Sequence, residues 1–561
     1  MLLILISWCY ILFTTLNLGF AFNKITKLKV ANFVILVFLG LFSTTVLASF
    51  WAIFGRINLE FQLFLLLING IVFFKYKAQI AIKYNALLWQ IANLSRSLKL
   101  FLLIVFILIL AQSASASYII DNETYYIQTI KWLNEYGFVE GLANLHVFLG
   151  QTSGWHIAQS AFNYSFLYPN FNDLNGFCLL FINVFAVLKL DAIKTKKNQQ
   201  ALFIGLLPFA NILFFQFISG PSPDLAVYML SLIVFYYFLK NFYKITAEAF
   251  NLIVVLVLFI IYSKITAFPI IILPIILLLL NFKKLISKIR ISAILTLFVL
   301  FLFIAKNGIL TGYTLFPSPC FKDIIAQNYS LPTEIHHFWF NPAKLYDVAV
   351  SSSEFHQLDV FSIFIKWLFY SKMDSVFNSL IMAILLITPF FLWRYKNKTS
   401  YWILYGTMVL QLVILFMSSP QYRFILHFVL FFGLVLFSHF LKNKKTIAVL
   451  LYVSLIPIVF TLFCPIKVST LIGFADKPIQ LENAIFPSTN SSIKATYFNA
   501  KIGNLLYYSP DKKTYIWVTG DGNLPCLNIK QMEYFKNKLG YIPQQRTANL
   551  KDGFYSMPIE K

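Results

Sequence analysis

The chain has 561 residues, of which 59% are hydrophobic and 12% charged, and its formal net charge is +23. Soluble domains average about 45–50% apolar and 25% charged residues, so this composition excludes a soluble enzyme, a disordered chain and a disulfide-stapled secreted module. Only a lipid bilayer solvates this much apolar surface, and the sequence therefore predicts a polytopic membrane protein.

Apolar segments approaching the ~20 residues of a membrane span recur along the chain. They predict an all-α membrane protein with about fourteen transmembrane helices. In chain order the predicted spans are 2–22, 31–54, 59–74, 100–119, 175–190, 201–219, 225–239, 250–263, 267–281, 291–304, 376–393, 401–418, 424–441 and 446–463.

Basic clusters follow every second predicted span, beginning with Lys24, Lys27 and Lys29 after the first. Cytoplasmic loops carry an excess of Lys and Arg, so these loops are predicted to be cytoplasmic and the N-terminus extracytoplasmic. Of the 22 acidic residues, only Asp191 and Glu248 then fall on the cytoplasmic side. The positive charge thus indicates topology and not a nucleic-acid partner, and we expect a multi-pass membrane protein.

This topology divides the chain into three parts. Residues 1–99 hold three spans and a cytoplasmic loop, and residues 100–463 form the main transmembrane module. That module carries long outward loops at 120–174 and 305–375. Residues 464–561, which we call the tail, predict a small α+β extracytoplasmic domain.

The tail is polar, with a strand-like run at 514–518 and a short helical segment at 531–539. Cys464 and Cys526 both fall outside the membrane, where a disulfide can persist. Free thiols are the alternative, and the sequence does not decide between them.

The first outward loop opens with two carboxylates, Asp121 and Glu123, directly after a predicted span. A carboxylate at this depth is costly unless it is solvated, paired or used. One could act as a general base while the other holds a sugar hydroxyl or a divalent ion such as Mg²⁺ or Mn²⁺. The alternative is a solvated loop start that caps a helix. No cofactor is predicted firmly.

The same loop continues with Ile127, Ile130 and Leu133 on one stripe, which predicts an amphipathic helix lying along the membrane surface. His146 and His156 follow as candidates for substrate binding or acid catalysis, with simple hydrogen bonding as the alternative.

Three charged residues elsewhere are candidates for the same site: Asp224, Lys264 and Arg423. Asp224 begins a predicted span on the outer side, where its alternative role is to cap the helix. Lys264 interrupts an apolar run, and intramembrane charges usually mark functional cavities. Arg423 starts another span, and its guanidinium suits a phosphate or carboxylate. A snorkelling lysine and an interfacial arginine are the alternatives.

Several short strings carry a resemblance to known membrane enzymes. They are YYIQTIKWLNEY at 125–136, SPD at 222–224, KITAFP at 264–269, TGYTLFP at 311–317, RF at 423–424 and LPC at 524–526. With the many spans and the long acidic first loop, the chain resembles integral membrane glycosyltransferases of the GT-C fold. The strings are most similar to those of an uncharacterised bacterial family of multispan membrane proteins. This resemblance implies a location in the bacterial cytoplasmic (inner) membrane.

The resemblance implies inverting transfer of a hexosyl or pentosyl group from a polyprenyl-phosphate donor to a glycan, lipid or protein acceptor of the cell envelope. Asp121 would take the proton of the acceptor hydroxyl, with Glu123 and Asp224 assisting. Lys264 and Arg423 would neutralise the lipid phosphate. The residues expected to bind substrate beside these two cations are Tyr125, Tyr126, His146 and His156.

Two other functions compete with this interpretation. A polyprenyl-glycan polymerase or ligase would also face outward, but outside the tail the outer side carries only Arg56 and Arg423. A multispan transporter or flippase would predict broken helices in matching halves of the chain.

Overall fold

The computed structural model describes residues 1–117, 119–193, 199–340, 348, 350, 354, 357–396, 398–441, 443–464, 479–511 and 514–559. This part of the chain is mostly helical. Its α-helices are Leu2–Thr26, Phe33–Phe54, Leu59–Ala92, Arg96–Ala114, Ile127–Glu135, Gly154–Ser160, Leu174–Asp191, Gln199–Gly205, Asn211–Phe214, Pro223–Asn241, Ala247–Ser263, Ile272–Leu280, Phe282–Leu285, Arg290–Thr311, Thr333–Phe340, Val360–Leu368, Lys372–Tyr395, Thr399–Met417, Leu426–Phe440, Lys444–Val453, Leu455–Phe463 and Ile529–Leu539.

Ten helices among the described residues are long and apolar enough to cross a membrane, or eleven if the bent pair Ile265–Leu280 and Phe282–Lys288 is one span. The three remaining predicted spans fall on shorter apolar helices, Leu207–Phe217, Ala247–Ser263 and Leu426–Phe440. Every predicted apolar segment therefore coincides with helix, although three are short and one bends by 90°. The chain is a multi-pass helical membrane protein, and a count of fourteen spans stays a prediction.

The helices differ in how much apolar surface they expose. Pro223–Asn241 is buried along almost its whole length, so it forms the centre of the bundle. By contrast, Leu59–Ala92 leaves Leu67 and Phe74 largely exposed. An apolar residue on the outside of a spanning helix faces lipid tails, which solvate it as well as a protein core does.

Segments predicted to share a side of the membrane contact one another. At one end, Lys29 Nζ lies 2.8 Å from Glu248 Oε1, which joins two lysine-rich loops. At the other end, the Ile57 amide donates to the Leu133 carbonyl over 2.9 Å, and the amino group of Met1 bonds to Asn483 of the tail. These contacts agree with the predicted alternation of loops. That the lysine-rich end faces the cytoplasm stays a prediction.

The described residues of the tail form two antiparallel hairpins and one α-helix. Strand Tyr497–Ile502 pairs with Leu505–Pro510, and Tyr541–Gln545 pairs with Phe554–Pro558. The helix Ile529–Leu539 confirms the helical prediction for 531–539.

The predicted strand at 514–518 is wrong, because these residues form turns. The Asn528 side chain donates to the Tyr515 and Val518 carbonyls, each over 3.0 Å, and so takes the place of a strand partner. All five cysteines, including Cys464 and Cys526, are free thiols.

That the amphipathic helix lies along the membrane surface stays a prediction; in the structure this helix is Ile127–Glu135. It is buried along nearly its whole length, because the tail covers its polar side. Gln128 Nε2 donates to the Gly520 and Gly522 carbonyls, each over 3.0 Å, and Lys131 Nζ lies 3.0 Å from Asp521 Oδ1. The amphipathic pattern is therefore satisfied by protein on both sides.

Candidate functional site

Asp121 stands directly before a π-helical turn, Asn122–Tyr126, that continues into the helix Ile127–Glu135. π-turns are rare and occur frequently at functional sites, because they re-aim side chains relative to a regular helix. Here the turn brings the Tyr126 hydroxyl to 3.3 Å from Asp121 Oδ2, to which it donates a hydrogen bond.

Arg423 meets Asp121 from the opposite part of the chain. Its Nη1 donates to Asp121 Oδ2 over 2.6 Å, and the two side chains are 27% and 17% exposed, so both remain reachable. Arg423 lies in the 3₁₀ turn Tyr422–Phe424, where Gln421 Oε1 accepts from its Nε over 2.7 Å. The Tyr228 hydroxyl donates to the Arg423 carbonyl over 2.8 Å and fixes the backbone of the turn.

Asp224 and Lys264 form a second ion pair beside the first. Asp224 lies in the first turn of Pro223–Asn241, and Lys264 lies where Ala247–Ser263 ends. Arg423 Nη1 is 3.9 Å from Asp224 Oδ2 and so joins the two pairs. We call Asp121, Arg423, Asp224 and Lys264 the charge cluster. Its two carboxylates and two cations leave it formally neutral, which is how proteins tolerate partly buried charges.

Gln411 holds two of the turns that carry the cluster. From the helix Thr399–Met417, its Nε2 donates to the Phe424 carbonyl over 2.7 Å and to the Thr266 carbonyl over 3.2 Å. Phe424 directly follows Arg423 in the chain, and Thr266 lies two residues after Lys264. Sequence reasoning missed this residue, although an amide inside an apolar span was a signal.

Asn175 holds the turn that precedes Asp224 in the same way. Its Nδ2 donates to the carbonyls of Phe217 and Gly220, each over 2.7 Å, and to that of Ser222 over 3.2 Å. The turn that starts the Asp224 helix is thus fixed by one buried side chain, which the sequence analysis also missed.

The charges of the cluster decide the ionisation of Asp121. Burial alone would raise its pKa, but the charge and hydrogen bond of Arg423, together with the charge of Lys264, hold the pKa below its ordinary value of 3.8. The carboxylate is therefore ionised at neutral pH, as a general base must be.

Tyr125, Tyr126 and His156 form an aromatic wall beside Asp121. The rings of Tyr126 and His156 have centroids 4.7 Å apart, as do those of Tyr125 and Tyr126. His156 belongs to the helix Gly154–Ser160, and its Nδ1 accepts from the Ser153 amide over 3.5 Å. Nε2 is buried and meets no hydrogen-bond partner among the described residues.

Burial lowers the pKa of His156 to about 3, and the Lys306 and Lys264 charges add to this effect. The ring is therefore neutral. Because Nδ1 accepts a hydrogen bond, we assign the proton to Nε2. His156 thus presents an uncommitted N–H donor next to the aromatic wall.

His146 lies further along the same layer of rings. Its Nδ1 accepts from the Phe148 amide over 3.2 Å, and burial lowers its pKa to about 4. The Phe148 ring stands between it and Tyr125, with centroid distances of 5.4 Å to His146 and 5.2 Å to Tyr125. His146 is therefore a neighbour of the aromatic wall and does not contact the charge cluster.

The structure turns Glu123 away from the cluster and toward the tail. Its Oε2 accepts from the Ser491 hydroxyl over 2.6 Å, and its Oε1 accepts from the Ser492 amide over 2.8 Å. Burial raises the pKa of Glu123 to about 7 despite these hydrogen bonds. Its predicted assistance to Asp121 stays a prediction, while its contacts join the π-turn to the tail.

Within the described ranges, no three His, Cys, Asp or Glu side chains are grouped so that they could hold a metal ion. Asp121 and Glu123, the two residues considered for a divalent ion, bind different partners. The negative charge of Asp121 and Asp224 is balanced by cations of the protein itself.

The fold and site together define a class: a multi-pass membrane protein with a neutral cluster of four charged side chains beside an aromatic wall. Residues 1–430 match the model of a family described as a domain of unknown function (DUF8201), and the chain belongs to this family. The matched region includes the whole charge cluster and ends before the tail. No curated protein and no solved structure matches the chain.

Proposed function

We propose that this protein is an integral membrane glycosyltransferase that moves a sugar from a polyprenyl-phosphate donor to a cell-envelope acceptor on the extracytoplasmic face. The observation that carries the proposal is the charge cluster. It places an ionised carboxylate in direct contact with one cation and close to a second, in a partly exposed position.

The acceptor half of the reaction needs a base. Asp121 takes the proton of the acceptor hydroxyl while the hydroxyl oxygen attacks the anomeric carbon of the donor sugar. The bond from that carbon to the phosphate oxygen breaks, and the configuration inverts. The Tyr126 hydroxyl, which donates to Asp121 Oδ2, holds the carboxylate in place.

In the donor half of the reaction, negative charge accumulates on the leaving phosphate, and nearby positive charge stabilises it. Arg423 and Lys264 supply this charge, and their electrostatic stabilisation is largest in a site from which water is excluded. In the structure, Arg423 pairs with Asp121. Exchange of that partner for the phosphate frees Asp121 Oδ2 to act as the base. Asp224 keeps Lys264 charged and in position.

The aromatic wall suits the sugar itself. Tyr125 and Tyr126 offer ring faces and hydroxyls, and the Nε2–H of neutral His156 offers a donor to a sugar hydroxyl. His146 lies one ring further away, where a longer acceptor would reach it. Glu123 acts through the π-turn that it fixes to the tail.

The proposal includes the GT-C architecture, fourteen spans and an inner-membrane location with the N-terminus and tail outside. The contacts of the tail with the Asp121 turn support a common side for the tail and the site. A donor that enters from within the bilayer reaches such a site without a soluble nucleotide-sugar domain.

Four strains test the proposal: wild type, a deletion, Asp121→Asn and a matched control, Asp323→Asn. Asp323 is an exposed aspartate of the second outward loop and lies outside the charge cluster. All variants are brought to the same protein level, and surface glycans and glycolipids are compared by mass spectrometry. We expect one defined sugar to be lost in the deletion and in Asp121→Asn, and retained in Asp323→Asn.

Loss in the deletion alone would remove Asp121 from the chemistry but keep a glycan function. Unchanged glycans in the deletion, with the gene expressed in the wild type, would reject glycosyl transfer and favour the transporter alternative.

A further inference from the structure

A cavity of about 820 Å³ lies apart from the charge cluster, between the tail, the first outward loop and the outer ends of two spanning helices. Its apolar lining comes from Ile53, Phe138 and Ile309. None of the four residues of the charge cluster lines it. The cavity therefore needs its own explanation.

The polar lining of the cavity has balanced charges. Arg546 forms an ion pair with Glu140, and its guanidinium carbon lies 5.3 Å from the centroid of the Tyr329 ring. Asp552 Oδ2 accepts from the Thr547 hydroxyl over 2.6 Å. Lys551 Nζ donates to the Tyr136 and Phe138 carbonyls, over 2.6 Å and 2.8 Å. Two cations and two carboxylates thus surround the same space.

The two spanning helices that line the cavity also carry exposed aromatic side chains. Ile53 and Ile309 lie near the outer ends of Phe33–Phe54 and Arg290–Thr311. On the same two helices, Phe50 and Phe298 are exposed, and their ring centroids are 6.3 Å apart. Such exposed aromatic surface on spanning helices is solvated by acyl chains. An amphiphile in the bilayer can therefore reach the cavity without crossing water.

We propose that this cavity binds the zwitterionic headgroup of a bilayer phospholipid, with the phosphate on Arg546 and the amine on Glu140 and Asp552. The acyl chains lie along the surface of Phe50 and Phe298. A zwitterion replaces the ion pair between Arg546 and Glu140 with two new ion pairs, so each of these charges keeps a partner. An anionic headgroup would bring its phosphate to the two carboxylates without an amine to balance them.

Bound lipid would also join two parts of the chain. Glu140 belongs to the first outward loop, and Arg546 and Asp552 belong to the last hairpin of the tail. The Phe554 amide donates to the Glu140 carbonyl over 2.9 Å, so the loop and hairpin are already in contact at this point. A headgroup held by both would stabilise the docked tail, independently of any catalysis.

The test is a titration of the purified full chain in detergent, followed by native mass spectrometry. The probes are dihexanoyl-phosphatidylethanolamine, dihexanoyl-phosphatidylglycerol and the chain-free headgroup glycerophosphoethanolamine. Variants are Glu140→Gln, Asp552→Asn and the double substitution, with exposed Lys501→Gln of the first tail hairpin as the control. Asp552→Asn is informative because the hydrogen-bond partner of its side chain lies within the same turn, so tail docking is not directly disturbed.

We expect the wild type and Lys501→Gln to bind the ethanolamine lipid more tightly than the glycerol lipid. In each single variant, the ratio of the two affinities should fall about fivefold, which corresponds to the ~1 kcal/mol of a partly exposed ion pair. The double variant should lose it altogether. Equal binding of both lipids by the wild type, or an undiminished preference in the double variant, would overturn the proposal. Equally tight binding of glycerophosphoethanolamine would also overturn it, because the site would then be one for a soluble ligand.

Discussion

Asp121 and Arg423 are 302 residues apart in the sequence, and their side chains meet at 2.6 Å. The contact joins the start of the first outward loop to the start of a late apolar helix. It lowers the pKa of Asp121 and holds Arg423 at the point where both carboxylates of the charge cluster can reach it.

Arg423→Gln removes the guanidinium and keeps a side chain that can donate hydrogen bonds. We expect formation of the glycan product to fall by roughly a hundredfold to a thousandfold, the usual effect of removing one donor to a developing negative charge. The rate is measured in membranes with matched protein levels. A rate within a few-fold of wild type would contradict a role for Arg423 on the phosphate.

The same variant should alter the pH dependence of the reaction. Asp121 acts as a base in its ionised form, and Arg423 lowers its pKa. Without Arg423 the pKa of Asp121 rises, so the loss of activity at acid pH should begin at a higher pH than in the wild type. An unchanged acid limb, at whatever absolute rate, would show that Asp121 is not the titrating base.

Lys264→Met leaves Asp224 buried with only the more distant Arg423 for a partner. Removing one member of a buried ion pair typically costs about 3–5 kcal/mol, whereas replacing both members is often nearly neutral. We therefore expect a clear drop of Tm in detergent for Lys264→Met and recovery in the double variant Asp224→Asn/Lys264→Met.

Both variants should be inactive, since both lack the second cation of the site. Full activity in the stable double variant would show that the pair serves only structure. A double variant as unstable as Lys264→Met would show that the charge of Asp224 does not cause the instability.

Glu123 should make docking of the tail depend on pH. Burial raises its pKa from 4.5 to about 7, so the docked state favours the protonated carboxyl. Stability is therefore greatest below the unfolded value of about 4.5 and falls as the pH rises toward 7, by up to about 3 kcal/mol in total. Limited proteolysis of the tail should become faster over this range.

Glu123→Gln removes the titrating group while it keeps one carbonyl oxygen for Ser491 or Ser492. We expect the proteolysis rate of this variant to be nearly constant from pH 5 to pH 8. Most other carboxyl groups are already ionised in this range, so they add little pH dependence. The same pH dependence in wild type and variant would assign the effect to another group.

Gln411→Leu should affect the site more than a neighbouring substitution on the same helix. The variant leaves the Phe424 and Thr266 carbonyls without this donor, and each unsatisfied buried group costs about 1–3 kcal/mol. We expect a lower Tm and reduced product formation. The control is Thr407→Val, because within the described ranges the Thr407 hydroxyl bonds only to the Ile403 carbonyl of its own helix. Equal effects of both substitutions would refute a positioning role for Gln411.

The sequence located the helices because hydropathy is a local property. All fourteen predicted segments lie on helix, and the sequence also held the reasons why some are broken. Pro208 and Pro269 lie in 3₁₀ segments, Leu207–Ala210 and Ile265–Ile271, where a missing amide interrupts the regular ladder. The strand predicted at 514–518 failed because the side chain of Asn528 satisfies carbonyls of that segment.

For the site, the amino-acid sequence was enough to identify the charged side chains whose placement next to apolar segments costs free energy. Asp121, Asp224, Lys264 and Arg423 each stood out as a charge at the edge of an apolar segment, and the structure brings all four together. The pairing of these charges, the contacts of Glu123 with the tail, and the hydrogen bonds of Gln411 and Asn175 became visible only in the folded chain. The cost of burying a charge can be inferred from one apolar segment. Its partner depends on the packing of segments far apart in the chain, because an unpaired buried charge costs about 3–5 kcal/mol.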